Sequence, residues 1–355
     1  MTALLDRCSV AFGRTVARLA AAGVALGAAA FALALLAGRS GTALAALDAS
    51  FLFFAGLSAG GVALGAAVRV ANGRWAGAVL PIADASAGFF GPALAVLAVL
   101  LLGARAFVPS AAGAGHLASL ALRQVALTTA LFVAGRTFVA RAREPGAEQA
   151  RGRAAAVVYL LCFAVVLSFW AADWVMGLSA TPPATVIPAY YFLGAFLSGL
   201  AWVALVAAVR GTSGPDLRHD LGKLLFAFIV VWSYLLWALF LPTWYANVPE
   251  ESELLIRRWH GGYRPVTTFV LVAVFAWPFW LLFSERFKRR RATLAVGAAA
   301  ILLGLLAERF LLVLPSLQVA GGAASWLVGA GVAAGVAGLF LLSVGSRLAT
   351  LDAAS

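Results

Sequence analysis

The stretch Phe51-Leu-Phe-Phe-Ala-Gly-Leu-Ser-Ala-Gly-Gly-Val-Ala-Leu-Gly-Ala-Ala-Val-Arg-Val70 decides the fold. It carries no charge before Arg69, and about 20 such residues make a helix that crosses the hydrocarbon core of a bilayer. Comparable runs recur near 16–37, 82–104, 117–139, 154–177, 186–209, 221–242, 265–284, 292–314 and 323–346. With 51–70 they predict an all-α integral membrane protein of about ten transmembrane helices, one membrane domain over residues 1–355. The third and ninth spans are interrupted by Asp84 at an edge and by Glu308 with Arg309, so nine or eleven spans also fit the pattern. The first run follows Arg7, Arg14 and Arg18 but exceeds a signal-peptide core of about 7–15 residues, so it reads as a retained helix.

Composition agrees. Hydrophobic residues make up 63% of the chain and charged ones 11%, too little charge to cover a water-soluble surface. The net charge of +12 would suggest nucleic acid in a soluble protein; here it suggests basic loops, with lipid and not nucleic acid as the contact. Basic residues are retained on the cytoplasmic side. Alternating the loops puts nineteen Lys and Arg on the side of both termini, and Arg39, Arg105, Arg257, Arg258 and Arg264 on the other. The termini are therefore expected in the cytoplasm, with the chain in the bacterial inner membrane. Glycine pairs at helix-packing spacing, Gly56 with Gly60, Gly61 with Gly65 and Gly331 with Gly335, read as close helix crossings.

The chemistry available to the chain is narrow. Cys8 and Cys162 stand alone, and His116, His219 and His260 are scattered, so no cluster, zinc or bis-histidine haem spacing is present. No phosphate loop, nucleophile elbow or His-Glu-x-x-His helix occurs, so a self-contained ATPase, hydrolase or metalloprotease is unsupported and any catalysis would be borrowed or quinone-based. Ionisable residues at membrane depth are costly and mark function by default. They are Arg123, Asp173, Glu308 and Arg309 in one half of the membrane, and Asp84, His219, Asp220 and Lys223 in the other. Two readings stand for Asp173 and Glu308: a proton path or quinone-head site, or structural ion pairs with Arg123. Asp84 and His219 read more simply as groups in headgroup water. Trp232, Tyr234, Trp237, Phe240, Trp244 and Tyr245 form an aromatic belt or, less simply, a quinone stack that adds Tyr234 to the candidates. The loop beyond, with Trp244, Tyr245, Asn247, Glu250, Glu251, Arg257 and His260, either docks a partner or is merely solvated. The run Glu285-Arg-Phe-Lys-Arg-Arg-Arg291 reads as an orientation anchor that favours anionic lipid.

Three stretches carry a resemblance. His219-Asp-Leu-Gly-Lys-Leu-Leu-Phe-Ala-Phe228, Trp232-Ser-Tyr234 and Trp244-Tyr-Ala-Asn-Val-Pro-Glu-Glu251 resemble the second polysulfide-reductase-type (NrfD-like) membrane subunit of alternative complex III. Ser168-Phe-Trp-Ala-Ala-Asp-Trp-Val-Met176 and Tyr190-Tyr-Phe-Leu-Gly-Ala-Phe196 are similar to the same family, as are Gly261-Gly-Tyr263 and the stretch from Pro278 to Arg291, so the likeness covers 168–315. It implies two four-helix bundles plus peripheral helices. It also implies a complex that oxidises quinol and passes electrons to cytochrome c, with iron–sulfur clusters and haem c in partner subunits. Those partners would be a paralogous quinol-binding membrane subunit, an iron–sulfur or molybdopterin-like subunit and c-type cytochromes. This chain would hold no redox centre, only a scaffold and a proton path. The chain departs from the family pattern at Gly177-Leu-Ser-Ala-Thr-Pro-Pro183, and Glu308 stands where the family has an aspartate. Two alternatives use the same residues: a quinone-binding anchor of a molybdopterin or iron–sulfur oxidoreductase with its pocket near Asp173, and a secondary transporter.

Overall fold

The computed structural model describes residues 2–108, 113–143, 149–179, 185–247, 249–260 and 262–353. They are predominantly helical, with no strand among the described residues. Ten stretches are long and apolar enough to cross a membrane. A short amphipathic helix, α1 (Thr2–Phe12), precedes them. The spans are α2 (Arg14–Leu36), α3 (Ser40–Val70), a broken third made of α4 (Leu80–Ala85) and α5 (Phe90–Gly103), α6 (Ala114–Arg141), α7 (Gln149–Trp174), α8 (Ile187–Arg210) and α9 (Pro215–Ala246). After the surface helix α10 (Pro249–Trp259) comes the eighth span, α11 (Arg264–Val270) and α12 (Trp277–Phe283) around a π-helical stretch at 271–276. The turn helix α13 (Glu285–Lys288) and the spans α14 (Arg291–Val313) and α15 (Ala323–Asp352) complete the chain. Each expected span is present, and the third and ninth are both real.

Contacts sort the spans into two four-helix groups. The second to fifth (α3, α4–α5, α6, α7) pack together, as do the sixth to ninth (α8, α9, α11–α12, α14), and α3 joins the groups by lying against α8 and α14. The first and last spans, α2 and α15, pair at the flank, with α1 laid on α15. With ten crossings, both termini lie on one face, called here the terminal face.

In lipid, side-chain burial gives little hydrophobic gain, so helices associate where backbones approach closely. A Cβ on Gly60 would strike the Ala195 carbonyl, and one on Gly199 would strike the Gly60 backbone, so α3 and α8 cross with their main chains in contact. Gly27 and Gly335 do the same for α2 and α15, and Gly56, Gly61, Gly65 and Gly331 each sit against a neighbouring helix, as their spacing predicts. In the eighth span the wide π turn presses on α14, where a Cβ on Gly304 would lie 3.3 Å from the Val274 nitrogen.

The basic run at 285–291 is more than an anchor. Arg289 pairs with Asp216 at 2.6 Å and with Glu285 at 3.0 Å, and Arg218 donates to the Arg289 carbonyl at 2.8 Å, so the run ties the start of α9 to the α13 turn. The hydrogen bond from Arg289 holds the Glu285 carboxyl below the usual carboxylate range.

Introducing a side chain at the α3–α8 crossing should therefore be severe. G60V or G199V is expected to cost about 1–3 kcal/mol or more through overpacking, read as a lower detergent melting temperature, while G115V, where a Cβ meets nothing within 4 Å, should leave it unchanged.

Candidate functional site

The most concentrated buried polarity lies in the half of the bundle opposite the terminal face, where α3, α8 and α14 meet under α10. Asp48 of α3 is fully buried, and neither carboxylate oxygen has a hydrogen-bond partner. Beside it stands Tyr191 of α8, whose hydroxyl donates to the Leu52 carbonyl at 2.9 Å, one turn further along α3 from Asp48. Arg309 of α14 lies over the Tyr191 ring at 4.4 Å, and its Nη1 stands 3.0 Å from Glu308 Oε2. Gly194 makes that placement feasible, because a Cβ there would fall 2.7 Å from Arg309 Nη2.

Glu308 faces three other groups: Arg309, the Tyr190 phenol and the Arg258 guanidinium. Arg258 reaches in from α10, donating through Nε to the Leu311 carbonyl at 3.1 Å. Tyr190 also lies against Trp232 of α9, their ring centroids 5.8 Å apart. Around this centre, Asp48 Oδ1 and Oδ2, Glu308 Oε2, Trp232 Nε1 and Arg258 Nη2 are all buried without a hydrogen-bond partner. The Arg309–Glu308 approach at Oε2 is an ion-pair contact without hydrogen-bond geometry, which is why that oxygen belongs with the unpartnered set. Native interiors leave few such atoms, and each costs about 1–3 kcal/mol, so their grouping in one place makes this cluster the candidate site.

The other candidates fall into separate places. Asp173 takes Arg123 in a two-pronged pair at 2.7 and 2.9 Å, with Gln124 donating to Asp173 at 2.5 Å. The structural pairing expected for Arg123 is therefore with Asp173; Glu308 is held by Arg309 instead, because each acid pairs with the cation nearest on its own packed helices. Asp84 is not in headgroup water: it is 1% exposed and held by Arg69 through two bonds of 2.8 Å, with Arg143 at 3.5 Å. Its span begins in a buried α4 packed on α3, which takes it out of the membrane surface. His219 is half-buried at the start of α9, where Asp220 and Lys223 form a surface pair at 2.7 Å. Tyr234 is 67% exposed on the outside of α9 and joins none of these clusters. Trp244 and Tyr245 are exposed, Asn247 caps α9 in the left-handed conformation, Arg257 is half-buried and His260 exposed. The side chains of Glu250 and Glu251 lie outside the described residues, as do Gly261 and the 180–184 part of the departing segment. Among the described residues, no three His, Cys, Asp or Glu side chains stand together as a metal site.

Asp48, Tyr190, Tyr191 and Arg258 were not singled out by residue type or spacing. Asp48 precedes the apolar window that predicts a span over 51–70, yet α3 begins at Ser40 and runs 31 residues. At about 1.5 Å per residue that is roughly 46 Å, well over a bilayer core of about 30 Å, and the excess is buried in protein. The Ala-rich segment before Phe51 was the available signal.

The Glu308–Arg309 pair should behave as a buried pair whose halves cannot be removed singly. R309M is expected to cost about 3 kcal/mol by removing the ion-pair partner of a buried carboxylate, whereas E308Q/R309M should lie closer to the unsubstituted chain; thermal unfolding in detergent with simply additive losses would show the two are not coupled. The chain matches no protein-family model and no curated protein sequence.

Proposed function

We propose that this chain is a membrane subunit of a quinol-oxidising electron-transfer complex of the alternative complex III type, carrying no redox centre itself and contributing scaffold and proton handling. The observation that carries the proton-handling role is the group of unpartnered buried polar atoms around Asp48, Glu308 and Trp232. The two carboxyl groups of this buried cluster can accept, hold and release protons at membrane depth, beside the Tyr190 and Tyr191 hydroxyls and the fixed positive charges of Arg258 and Arg309. The likeness of the segment 168–315 to NrfD-like subunits supports the assignment to such a complex. In this reading the iron–sulfur and haem c centres sit in partners, and quinol is oxidised by the paralogous membrane subunit. A quinol ring would meet suitable polar partners here, but the rings of Tyr190, Tyr191 and Trp232 already line the cluster. The reading therefore leaves this chain the protons.

The distribution of basic residues supports an orientation in the bacterial inner membrane with the terminal face in the cytoplasm. The Asp48–Glu308 cluster and the Arg123–Asp173 pair then lie in the outer half, and the Asp84–Arg69 pair in the inner half. Ser58 of α3, with Ser86 and Tyr159 packed against it, is among the buried hydroxyl groups between them, these three being bonded to the Ser86, Ile82 and Ala59 carbonyls respectively.

A mild-detergent pull-down of the tagged chain should bring down a multihaem cytochrome and an iron–sulfur subunit, visible by mass spectrometry and a haem spectrum; a haem-free single chain that takes up solute would turn the same buried carboxyls to a secondary transporter. In vesicles holding the complex, E308Q or D48N is expected to lower the proton-to-electron ratio more than quinol oxidation. An unchanged ratio in both variants removes the proton-handling role.

A further inference from the structure

On the terminal face, far along the bundle from the buried carboxyl cluster, α1, the 3-10 turn at 86–89, α6 and α15 border a half-open polar cavity of about 470 Å³. Three arginines line it, Arg7 of α1, Arg136 of α6 and Arg347 of α15, together with the hydroxyls of Ser343, Ser346 and Thr350. No acidic residue lines it. Elsewhere on this face Asp84 is engaged by Arg69 and Arg143 and Asp352 by Arg210 at 2.6 Å, while Asp6, next to Arg7 in sequence, is exposed and lies outside the cavity lining. Among the described residues none of the three arginines has an ion-pair partner, and the buried Ser346 hydroxyl makes no hydrogen bond within the protein. Ser343 and Thr350 spend their protons on the Leu339 and Arg347 carbonyls, which leaves Ser346 as the free hydroxyl donor. Three like charges brought to one cavity repel each other unless an anion joins them.

The depth and surroundings identify that anion's class. Arg136 and Arg347 each lie five residues before the end of their helices, Arg141 and Asp352, which is roughly 7–8 Å inside and at headgroup level. One turn from Arg136 on the same face of α6, Val133 is 57% exposed, and one turn from Arg7 on α1, Val10 is 77% exposed. A charged recess bordered by exposed apolar side chains fits a molecule with a phosphate at one end and hydrocarbon at the other. We propose that this cavity is a specific site for the headgroup of an anionic phospholipid, with Arg136, Arg347 and Arg7 around the phosphate and Ser346 donating to it.

The test uses the purified full chain in mild detergent, titrated separately with dioleoylphosphatidylglycerol, dioleoylphosphatidylcholine and inorganic phosphate, with thermal stability as the readout. Saturable stabilisation by the anionic lipid alone is expected. R136Q/R347Q should shift its midpoint roughly tenfold or more to weaker binding, R136K/R347K should stay within about threefold, and R14Q/R18Q, which removes equal charge from exposed positions on that face outside the cavity lining, should leave it unchanged. R7Q, an exposed change on a surface helix, gives the same direction should the double variant fail to fold. Equal stabilisation by phosphatidylcholine or by inorganic phosphate would overturn the proposal, as would equal weakening in R14Q/R18Q.

Discussion

The main-chain contact of α3 with α8, at Gly60 and Gly199, is the constraint on which the rest of the structure depends. Lipid offers apolar side chains no gain from leaving it, so the two four-helix groups are held by close packing at such crossings. This crossing also carries the candidate site. It brings Tyr190 and Tyr191 of α8 against the Asp48 end of α3, and α14, which packs on both, delivers Glu308 and Arg309 to the same place. A wider crossing would let water reach Asp48 and dissolve the distinction between a buried carboxyl and an ordinary surface one.

Charge inside this protein is handled in two ways. Arg123–Asp173 and Arg69–Asp84 are satisfied pairs with two-pronged geometry, the arrangement that makes a desolvated pair tolerable and pins one helix to another. Around Asp48 and Glu308 the cations are near but the hydrogen bonding is incomplete. The same lipid-embedded fold thus keeps rigid fasteners and a group of unsatisfied atoms on neighbouring helices. Only the second has capacity left for anything that arrives.

The ten spans were legible because an uncharged run of bilayer length has few other uses, and the helix ends fall within six residues of the hydropathy edges except where Asp48 and the segment before it extend α3 by eleven residues. Paired groups such as Arg123 and Asp173 were legible as charges at membrane depth, but their partners are fixed by which helices adjoin, and hydropathy carries no information on that. Tyr190, Tyr191 and Arg258 were hidden for a related reason: an aromatic near a span end reads as interfacial belt, and an arginine beyond it as loop. Asp84 shows the reverse error, since a charge at the edge of an apolar run looks solvated until α4 is seen folded against α3.

The π-helical stretch at 271–276 has a consequence for how the eighth span tolerates change in length. A wide turn holds one residue more than an α-helical path, and one residue corresponds to roughly 100° of rotation about the helix axis. The side chains after it are set by that offset: Pro278 and Leu282 face the protein, while Trp280 and Phe283 face outward. Losing a single residue from the stretch would let the helix run on without strain, yet would swing the two tryptophan-bearing turns away from their present outlook and carry lipid-facing rings toward α9 and α14. The span is therefore indifferent to many substitutions but sensitive to counting, and its length is part of what the fold encodes.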